Sequence, residues 1–145
     1  MNELAIGAAS STYFKMIRGI GIDIHDVKDF AAIVAKSGDD YLTRVFTSDE
    51  IAYCDASANA METYAGKFAV KEAAMKALGT GWDGVDWRDF EVGNEASGQP
   101  VLRLTGNAAT LAARLGITRS WVSLSHVAEY AVAQVIFEEQ APGEA

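Results

Sequence analysis

The stretch AGKFAVKEAAMKALGTG, residues 65–81, carries the densest set of structural signals in the chain. It consists mostly of strong helix formers, with apolar side chains at helical spacing. The closing Gly-Thr-Gly ends the helix, because glycine readily adopts the left-handed conformation that follows a last turn. We therefore predict one long helix over residues 58–78, on which Phe68, Glu72 and Lys76 share a face.

Short strands and short helices surround this helix in the sequence. Strands are predicted over residues 17–24, 90–94, 101–105, 121–125 and 130–137. Shorter helices are predicted over residues 27–36, 39–44 and 107–115, with a further helix starting at Thr47-Ser48-Asp49-Glu50. Residues 81–88 are predicted to form a loop. No repeat or linker divides the chain, so we predict a single domain over residues 16–139, with an extension at 1–15 and a polar tail at 140–145.

The overall composition limits the classes of function. A chain of 145 residues suits one hydrophobic core. Twelve basic against 20 acidic residues give a net charge of −8, which argues against general nucleic-acid binding. No apolar run reaches the length of about 18 residues that a membrane span needs, and the first residues lack the pattern of a signal peptide. The single cysteine, Cys54, excludes an intrachain disulfide and is compatible with a reducing cytoplasm.

The segment GIGIDIHD, residues 19–26, places a carboxylate in an apolar strand. Alternation along a strand puts Gly21 and Asp23 on the face opposite to the three isoleucines. Asp23 is then either a solvent-facing side chain or part of a site. Gly21 favours the second interpretation a little, because a strand glycine often marks close approach of a ligand or another backbone. His25 adjoins Asp23, but we expect it to face the opposite side and to have a structural or supporting role.

The long helix offers a second carboxylate among lysines. Glu72 is either one half of an ordinary ion pair with Lys76, one turn later, or a metal ligand. Lys67, Lys71 and Lys76 are either a solvated face or, together with the glycine turn, a cradle for phosphate. No Cys/His cluster supports zinc, whereas two carboxylates suit Mg²⁺ completed by substrate phosphates and water.

A third segment, Ser123-Leu124-Ser125-His126, ends a predicted strand. Its hydroxyl and imidazole groups could bind phosphate or act as nucleophile and base. No G-x-S-x-G elbow supports a Ser–His hydrolase. A strand-end serine beside a histidine with ordinary hydrogen bonds remains the structural alternative.

Three segments occur in a specific order: MIRGIGID at residues 16–23, the helix at 65–81, and VSLSHVAEYAVA at 122–133. Together with the F-x-x-K-E-A-x-x-K-A pattern they closely resemble the holo-acyl-carrier-protein synthases, the small 4′-phosphopantetheinyl transferases, from about residue 16 to 138. The resemblance implies an α+β fold, a small antiparallel sheet packed against one long and several short helices. It also implies a homotrimer with interfacial active sites. The implied reaction transfers 4′-phosphopantetheine from coenzyme A to a serine of apo-acyl carrier protein and releases adenosine 3′,5′-bisphosphate.

The same resemblance assigns roles to individual residues. It makes Asp23 and Glu72 the Mg²⁺ ligands, Glu72 the candidate base, and Lys76 a catalytic contact to phosphate. The implied contacts to coenzyme A are Lys67, Lys71, Lys76, Gly79, Thr80, Gly81, Pro100, Ser125 and His126, with Pro100 near the adenine.

The carrier protein is implied to dock on the helix after the first strand. Here that region offers Lys28, Lys36 and Arg44 as basic residues, but it also contains Asp26 and Asp29. The docking surface is therefore less basic than is usual in the family, which would suit weaker, more apolar docking or a different carrier. The alternatives to an enzyme are a non-catalytic coenzyme A or nucleotide-binding domain and a trimerisation module. The intact set of Asp23, Glu72 and Lys76 argues against the first, because a binder could lose its metal site.

Overall fold

A computed structural model of the chain describes residues 16–79, 81 and 84–139. The strands are β1 (Met16–Asp26), β2 (Phe90–Asn94), β3 (Pro100–Leu104), β4 (Ile117–His126) and β5 (Tyr130–Glu139). The helices are α1 (Val27–Ser37), α2 (Asp39–Val45), α3 (Ser48–Asp55), α4 (Ala60–Leu78) and α5 (Gly106–Arg114), with a short 3-10 turn at Trp87–Asp89. The described part of the chain contains no helix long and apolar enough to span a bilayer.

Two antiparallel units form the β structure. The main sheet has the strand order β1-β5-β4, and β2 and β3 form a separate hairpin. In the main sheet Asp23 lies opposite Ala133, and His126 lies opposite Ala131. The predicted α+β arrangement, with a small antiparallel sheet beside one long helix and several short ones, is confirmed.

Local capping signals produced the most accurate predictions. The Asp26 carboxylate accepts hydrogen bonds from the backbone N–H groups of Lys28 and Asp29 at 2.8 and 3.0 Å, which starts α1. Thr47 and Glu50 form the reciprocal capping box that starts α3. β4, in contrast, begins at Ile117, four residues before the predicted start, because residues 117–120 gain their strand structure by pairing with β5 around a bulge.

Helix α4 lies at the centre of the molecule. Its inner residues Ala69, Val70 and Ala73 are fully buried and belong to a core shared with both β units and α5. Its N-terminal half packs on α1, α2 and α3 around Phe30 and Tyr64. A helix buried on most sides carries functional groups only where the packing leaves them accessible, and in the C-terminal half of α4 Glu72 is half-buried and Lys76 is exposed.

Strand β1 crosses α4 at very short range. A Cβ atom on Gly21 would lie 1.8 Å from the carbonyl oxygen of Ala73, and one on Gly19 would lie 1.9 Å from that of Ala77. Only glycine permits this approach, as the sequence suggested for Gly21. The face that carries Gly21 and Asp23 is thus the inner face of the sheet. The isoleucine face points outward: Ile20, Ile22 and Ile24 are 59%, 60% and 63% exposed.

Candidate active site

Asp23 and Lys76 join β1 to α4. Lys76 Nζ donates to Asp23 Oδ1 at 2.8 Å and to the carbonyl oxygen of Ile22 at 3.0 Å. The side chain of Asp23 is only 12% exposed, so the solvent-facing interpretation is wrong, whereas that of Lys76 is 54% exposed. Two charged groups separated by 53 positions in sequence therefore meet at the crossing of strand and helix.

Glu72 lies one turn before Lys76, on a half-buried part of α4. Within the described residues its carboxylate has no hydrogen bond or ion pair, because Lys76 turns to Asp23 instead. The pKa of Glu72 is raised, first by burial and then by the negative charge of Asp23, against the opposing effect of Lys76. A carboxylate without a partner that feels a second carboxylate is suited to a bound cation.

The oxygen ligands of these two residues fit a hard cation such as Mg²⁺, which takes one or two carboxylates and completes its shell with phosphate oxygens and water. Across residues 16–79, 81 and 84–139 there is no group of three or more His, Cys, Asp or Glu side chains poised around one point. Asp23 and Glu72 would thus hold the cation jointly with a substrate.

His25 does not face away from Asp23. Positions 23 and 25 lie on the same face of a strand, and His25 Nε2 is 2.6 Å from Asp23 Oδ2. The ring of His25 packs edge-on against Phe68, with the centroids 4.5 Å apart. The prediction that His25 points to the opposite side is therefore wrong, and a correct count of the alternation would have placed it beside Asp23.

A cavity of about 590 Å³ opens beside the N-terminal half of α4. Three of the predicted contacts for coenzyme A line it: Lys67, Pro100 and His126. Its volume lies in the range typical of small-molecule sites. Lys67 and Glu72 are five residues apart, about 7.5 Å of helix rise, so α4 carries both the cavity wall and the acidic group.

The sequence did not point to three other residues of this cavity. Tyr53 lies under the ammonium of Lys67, 4.4 Å from ring centroid to Nζ. Glu62 Oε2 lies 3.1 Å from His126 Nδ1, and Asn94 caps the hairpin by donating to the carbonyl oxygen of Gly98. These residues come from three separate elements, and no local sequence pattern links them. The one available signal was the four-residue spacing of Glu62 and Gly66, which places both on the side of α4 that lines the cavity.

The predicted contact between Lys71 and coenzyme A is not compatible with where the fold places this side chain. It has no exposed surface, and its ammonium donates to Glu50 Oε1 at 2.8 Å and to the carbonyl oxygens of Trp87 and Phe90 at 3.1 and 2.6 Å. Burial lowers its pKa, and Glu50 opposes that effect. All three ammonium hydrogens are used inside the core, so Lys71 has neither surface nor donor left for a phosphate.

Lys67 occupies an intermediate position. It is 3% exposed and its ammonium donates to the carbonyl oxygen of Val92 at 2.6 Å and to Asn94 Oδ1 at 3.4 Å. Burial lowers its pKa. It forms part of the cavity wall, but it is not the freely accessible cation that the prediction of a lysine cradle assumed.

The glycine turn and the end of β4 also differ from the prediction. Gly79 adopts the left-handed conformation at the end of α4, and its N–H is taken by the carbonyl oxygens of Met75 and Lys76. Gly81 is described, whereas Thr80 lies outside the described residues. Ser125 is on the opposite face of β4 from His126 and does not line this cavity.

The predicted docking residues are all on the surface of the first two helices. Lys28 and Lys36 are exposed on α1, and Arg44 is exposed on α2. Helix α1 also exposes Ile33, at 46%, and Asp29. The surface formed by α1 and α2 is thus mixed in charge with an apolar component.

Comparison with known proteins defines the class. A sequence model of the 4′-phosphopantetheinyl transferase superfamily matches residues 19–135, from the first glycine of β1 to the middle of β5. The chain therefore belongs to this superfamily and is an enzyme of the transferase class.

Individual relatives narrow the family. The holo-[acyl-carrier-protein] synthase of Koribacter versatilis is 50% identical over 125 residues, which cover 86% of this chain and 100% of that protein. The crystal structure of the holo-[acyl-carrier-protein] synthase from Neisseria meningitidis superposes with a TM-score of 0.79 at 32% identity, covering 86% of this chain and 100% of that one. A synthase from Bacillus anthracis in complex with CoA (3′,5′-ADP) gives a TM-score of 0.71 at 34% identity, covering 86% and 99%. Within the superfamily, the chain belongs with the holo-[acyl-carrier-protein] synthases.

Proposed function

We propose that this chain transfers 4′-phosphopantetheine from coenzyme A to a serine of an apo-acyl carrier protein in a Mg²⁺-dependent reaction, releasing adenosine 3′,5′-bisphosphate. The observation that carries the proposal is the meeting of Asp23, Lys76 and Glu72 where β1 crosses α4. A related synthase is described in complex with CoA, and the relatives are named for the carrier protein as substrate. Both substrates are therefore proposed for this chain.

The cavity beside α4 is the proposed site of the nucleotide part of coenzyme A. Pro100 offers an apolar surface for a base, and His126 offers a ring nitrogen at the cavity rim. Lys67 contributes positive charge to the wall, although its donors are largely occupied. Gly79 and Gly81 follow the last turn of α4 and remain candidates for the phosphate end of the site.

The chemistry then falls to the groups at the crossing. The serine oxygen of the carrier attacks the phosphorus of the phosphopantetheine group, the bond from that phosphorus to the leaving bisphosphate breaks, and Glu72 receives the serine proton. Lys76, with an exposed side chain, can move from Asp23 to a phosphate oxygen and stabilise the charge that develops there. Mg²⁺ held by Asp23 and Glu72 would supply further charge neutralisation at the pyrophosphate.

The outer face of the main sheet is the proposed contact between copies of the chain. Ile20, Ile22 and Ile24 of β1 lie beside Val132 and Ile136 of β5 across this face. Gln134 lies opposite Ile22 in the middle of this face, which is otherwise apolar on these two strands. Soluble monomers rarely leave a row of large exposed apolar side chains like that of β1 open to water. We propose that three copies cover it as a homotrimer, with active sites at the interfaces, so that Ser125 on the same face of β4 would serve a neighbouring site.

Carrier docking is proposed for Lys28, Lys36 and Arg44 on the α1–α2 surface. Because Asp29 and Ile33 share that surface, apolar contact contributes to docking as well as charge. Replacing Lys28 or Lys36 with Glu should raise the KM for the carrier without changing that for coenzyme A.

A cytoplasmic location is also proposed. The buried thiol of Cys54, which forms no disulfide, suits a reducing compartment.

A direct assay tests the function. The protein is incubated with an apo-carrier protein, coenzyme A and Mg²⁺, and the carrier is weighed by mass spectrometry. We expect a gain of one phosphopantetheine per carrier that disappears when EDTA removes the metal. No gain with any of several acidic and less acidic carriers would refute the proposal.

A further inference from the structure

We propose that His25 is a positioning residue that holds the Asp23 carboxylate in place for metal binding. This inference rests on the function proposed above, and it concerns a side chain that the catalytic scheme does not use. The starting observation is the 2.6 Å separation between His25 Nε2 and Asp23 Oδ2.

The two atoms of this contact are shielded from water. Neither has a regular hydrogen bond to any described group, and each has almost no accessible surface. At 2.6 Å the ring nitrogen and the carboxylate oxygen are in direct contact, with no room for a water molecule between them. The contact lacks the geometry of an ordinary hydrogen bond and is a close polar contact between the ring nitrogen and the carboxylate oxygen.

The imidazole is held rigidly in this position. Its ring packs edge-on against Phe68, which in turn contacts Trp87 with ring centroids 5.0 Å apart. Ala131, opposite His25 on β5, is small and fully buried and leaves room for the ring. The His25 side chain is therefore more enclosed than that of Lys76, with 28% exposed against 54%.

Lys76 provides the contrast. It holds the other oxygen, Oδ1, at 2.8 Å, but its side chain is 54% exposed and can swing away. When Lys76 moves to a phosphate, Oδ1 becomes the oxygen that faces the site, while His25 still fixes Oδ2. The carboxylate thus keeps its orientation when its more mobile partner departs. Partners of metal ligands typically tune metal affinity in this way.

Two substitutions separate the N–H group from the ring. His25→Phe keeps an aromatic ring against Phe68 but removes the nitrogen. His25→Gln gives up the ring but keeps an N–H donor at a similar reach. The readout is Mn²⁺ binding in the presence of coenzyme A, measured by the EPR signal of free Mn²⁺, together with half-saturating Mg²⁺ in the transfer assay.

We expect His25→Phe to weaken Mn²⁺ binding and to raise half-saturating Mg²⁺ about tenfold, with the thermal midpoint and the carrier KM unchanged. His25→Gln should recover most of the affinity. A merely structural histidine would give the reverse order, because the Phe variant retains the packing. Equal metal affinity in wild type and His25→Phe would overturn the proposal.

A nitrogen coupling to bound Mn²⁺ that is present in wild type and absent in both variants would also overturn it, since His25 would then be a ligand itself. Failure of the proposed function looks different: the wild-type protein would transfer nothing. If wild type transfers but the variants do not differ from it, only the role of His25 is refuted. If wild type binds no metal at all, the inference falls with the metal site.

Discussion

Asp23 on β1 and Glu72 on α4 carry like charges, and the close crossing of the strand and the helix keeps them near one another. Asp23 is stabilised by Lys76, whereas Glu72 has no partner among the described residues and an elevated pKa. Bringing an unpaired carboxylate close to another costs folding energy unless a cation offsets it. At the scale of single residues, the fold therefore maintains an arrangement that favours the ligand-bound state.

Neutralising either acid should strongly slow transfer without unfolding the chain. We expect Asp23→Asn and Glu72→Gln each to lower kcat by about 10² to 10³-fold, the usual cost of removing one electrostatic contact to a transition state. The amides conserve shape, so circular dichroism and thermal midpoints should stay near those of wild type. Glu91→Gln, which removes an ion pair with Arg103 on the β2–β3 hairpin, is the matched control and should leave kcat unchanged. Normal rates in both acid variants would refute the metal assignment.

The buried pair of Lys71 and Glu50 has a role in the stability of the fold and not in the chemistry of the site. Glu50 is 1% exposed and also accepts hydrogen bonds from the backbone N–H groups of Thr47 and Val92. Lys71→Met would leave that charge buried and unpaired, at a cost of about 3–5 kcal/mol in the free energy of unfolding. Adding Glu50→Gln should recover part of the loss.

Urea denaturation measures this difference. The matched control is Lys36→Met on the exposed face of α1, which should change the free energy of unfolding by less than about 0.5 kcal/mol. If Lys71→Met proved equally mild, the pair would not be a structural centre and a contact to coenzyme A would have to be reconsidered.

These residues also show how far the site could be predicted from the sequence. Helical spacing placed Glu72 and Lys76 on one side of a well-signalled helix, but it left an ordinary ion pair as the alternative, and only the family resemblance assigned their roles. Lys71 differs from Lys76 only in where α4 is buried, and that depends on Glu50 and the turn at Trp87–Asp89, which are distant in sequence. Burial of a lysine is a tertiary property, and the three lysines therefore looked equivalent before the fold was known.

At the scale of elements, the approach of β1 to α4 sets the geometry of the site. Gly21→Ala would place a methyl group 1.8 Å from the carbonyl oxygen of Ala73, and both backbones would have to separate. We expect the free energy of unfolding to fall by about 3 kcal/mol or more, because the added methyl group clashes with backbone rather than with a flexible side chain. Transfer should fall as well, because Asp23 moves with the strand.

Gly93→Ala is the control for this substitution. Gly93 is also a strand glycine, but its added Cβ would meet only a methyl group of Val101 at 3.5 Å, an ordinary contact. Thermal denaturation of the two variants should therefore diverge, with Gly93→Ala close to wild type. Similar midpoints for both would mean that the close crossing is not required.

The elements themselves were largely predictable, since each is signalled within a few residues. Asp26, Thr47 and Gly79 start or end helices through hydrogen bonds to their own neighbours. What the strand pattern could not decide was which face of β1 turns inward. An apolar face and a Gly–Asp face are both available, and the usual preference would bury the isoleucines. The close crossing with α4, which only glycine permits, reverses that preference.

At the scale of the whole molecule, the exposed isoleucine face is the proposed contact between copies of the chain. Ile22 lies at its centre and is 60% exposed, and its neighbours Ile20 and Ile24 are similarly open. In a homotrimer this face would be buried, so a charge at Ile22 would remain unpaired in an apolar contact. We expect Ile22→Glu to convert a trimer into a monomer and to abolish transfer, while the monomer keeps the circular dichroism spectrum of wild type.

Size-exclusion chromatography with light scattering reads out this prediction directly, because the wild-type mass should be three times that of one chain and the Ile22→Glu mass that of one. Leu115→Glu, at an apolar residue that is 41% exposed after α5, is the matched control and should leave the trimer intact. The activity measurement then separates assembly from folding: a folded, inactive monomer supports sites shared between protomers, whereas an active monomer would show that one chain carries the complete site. A wild-type protein that runs as a monomer at micromolar concentration would refute the homotrimer, and the isoleucine face would then need a different occupant.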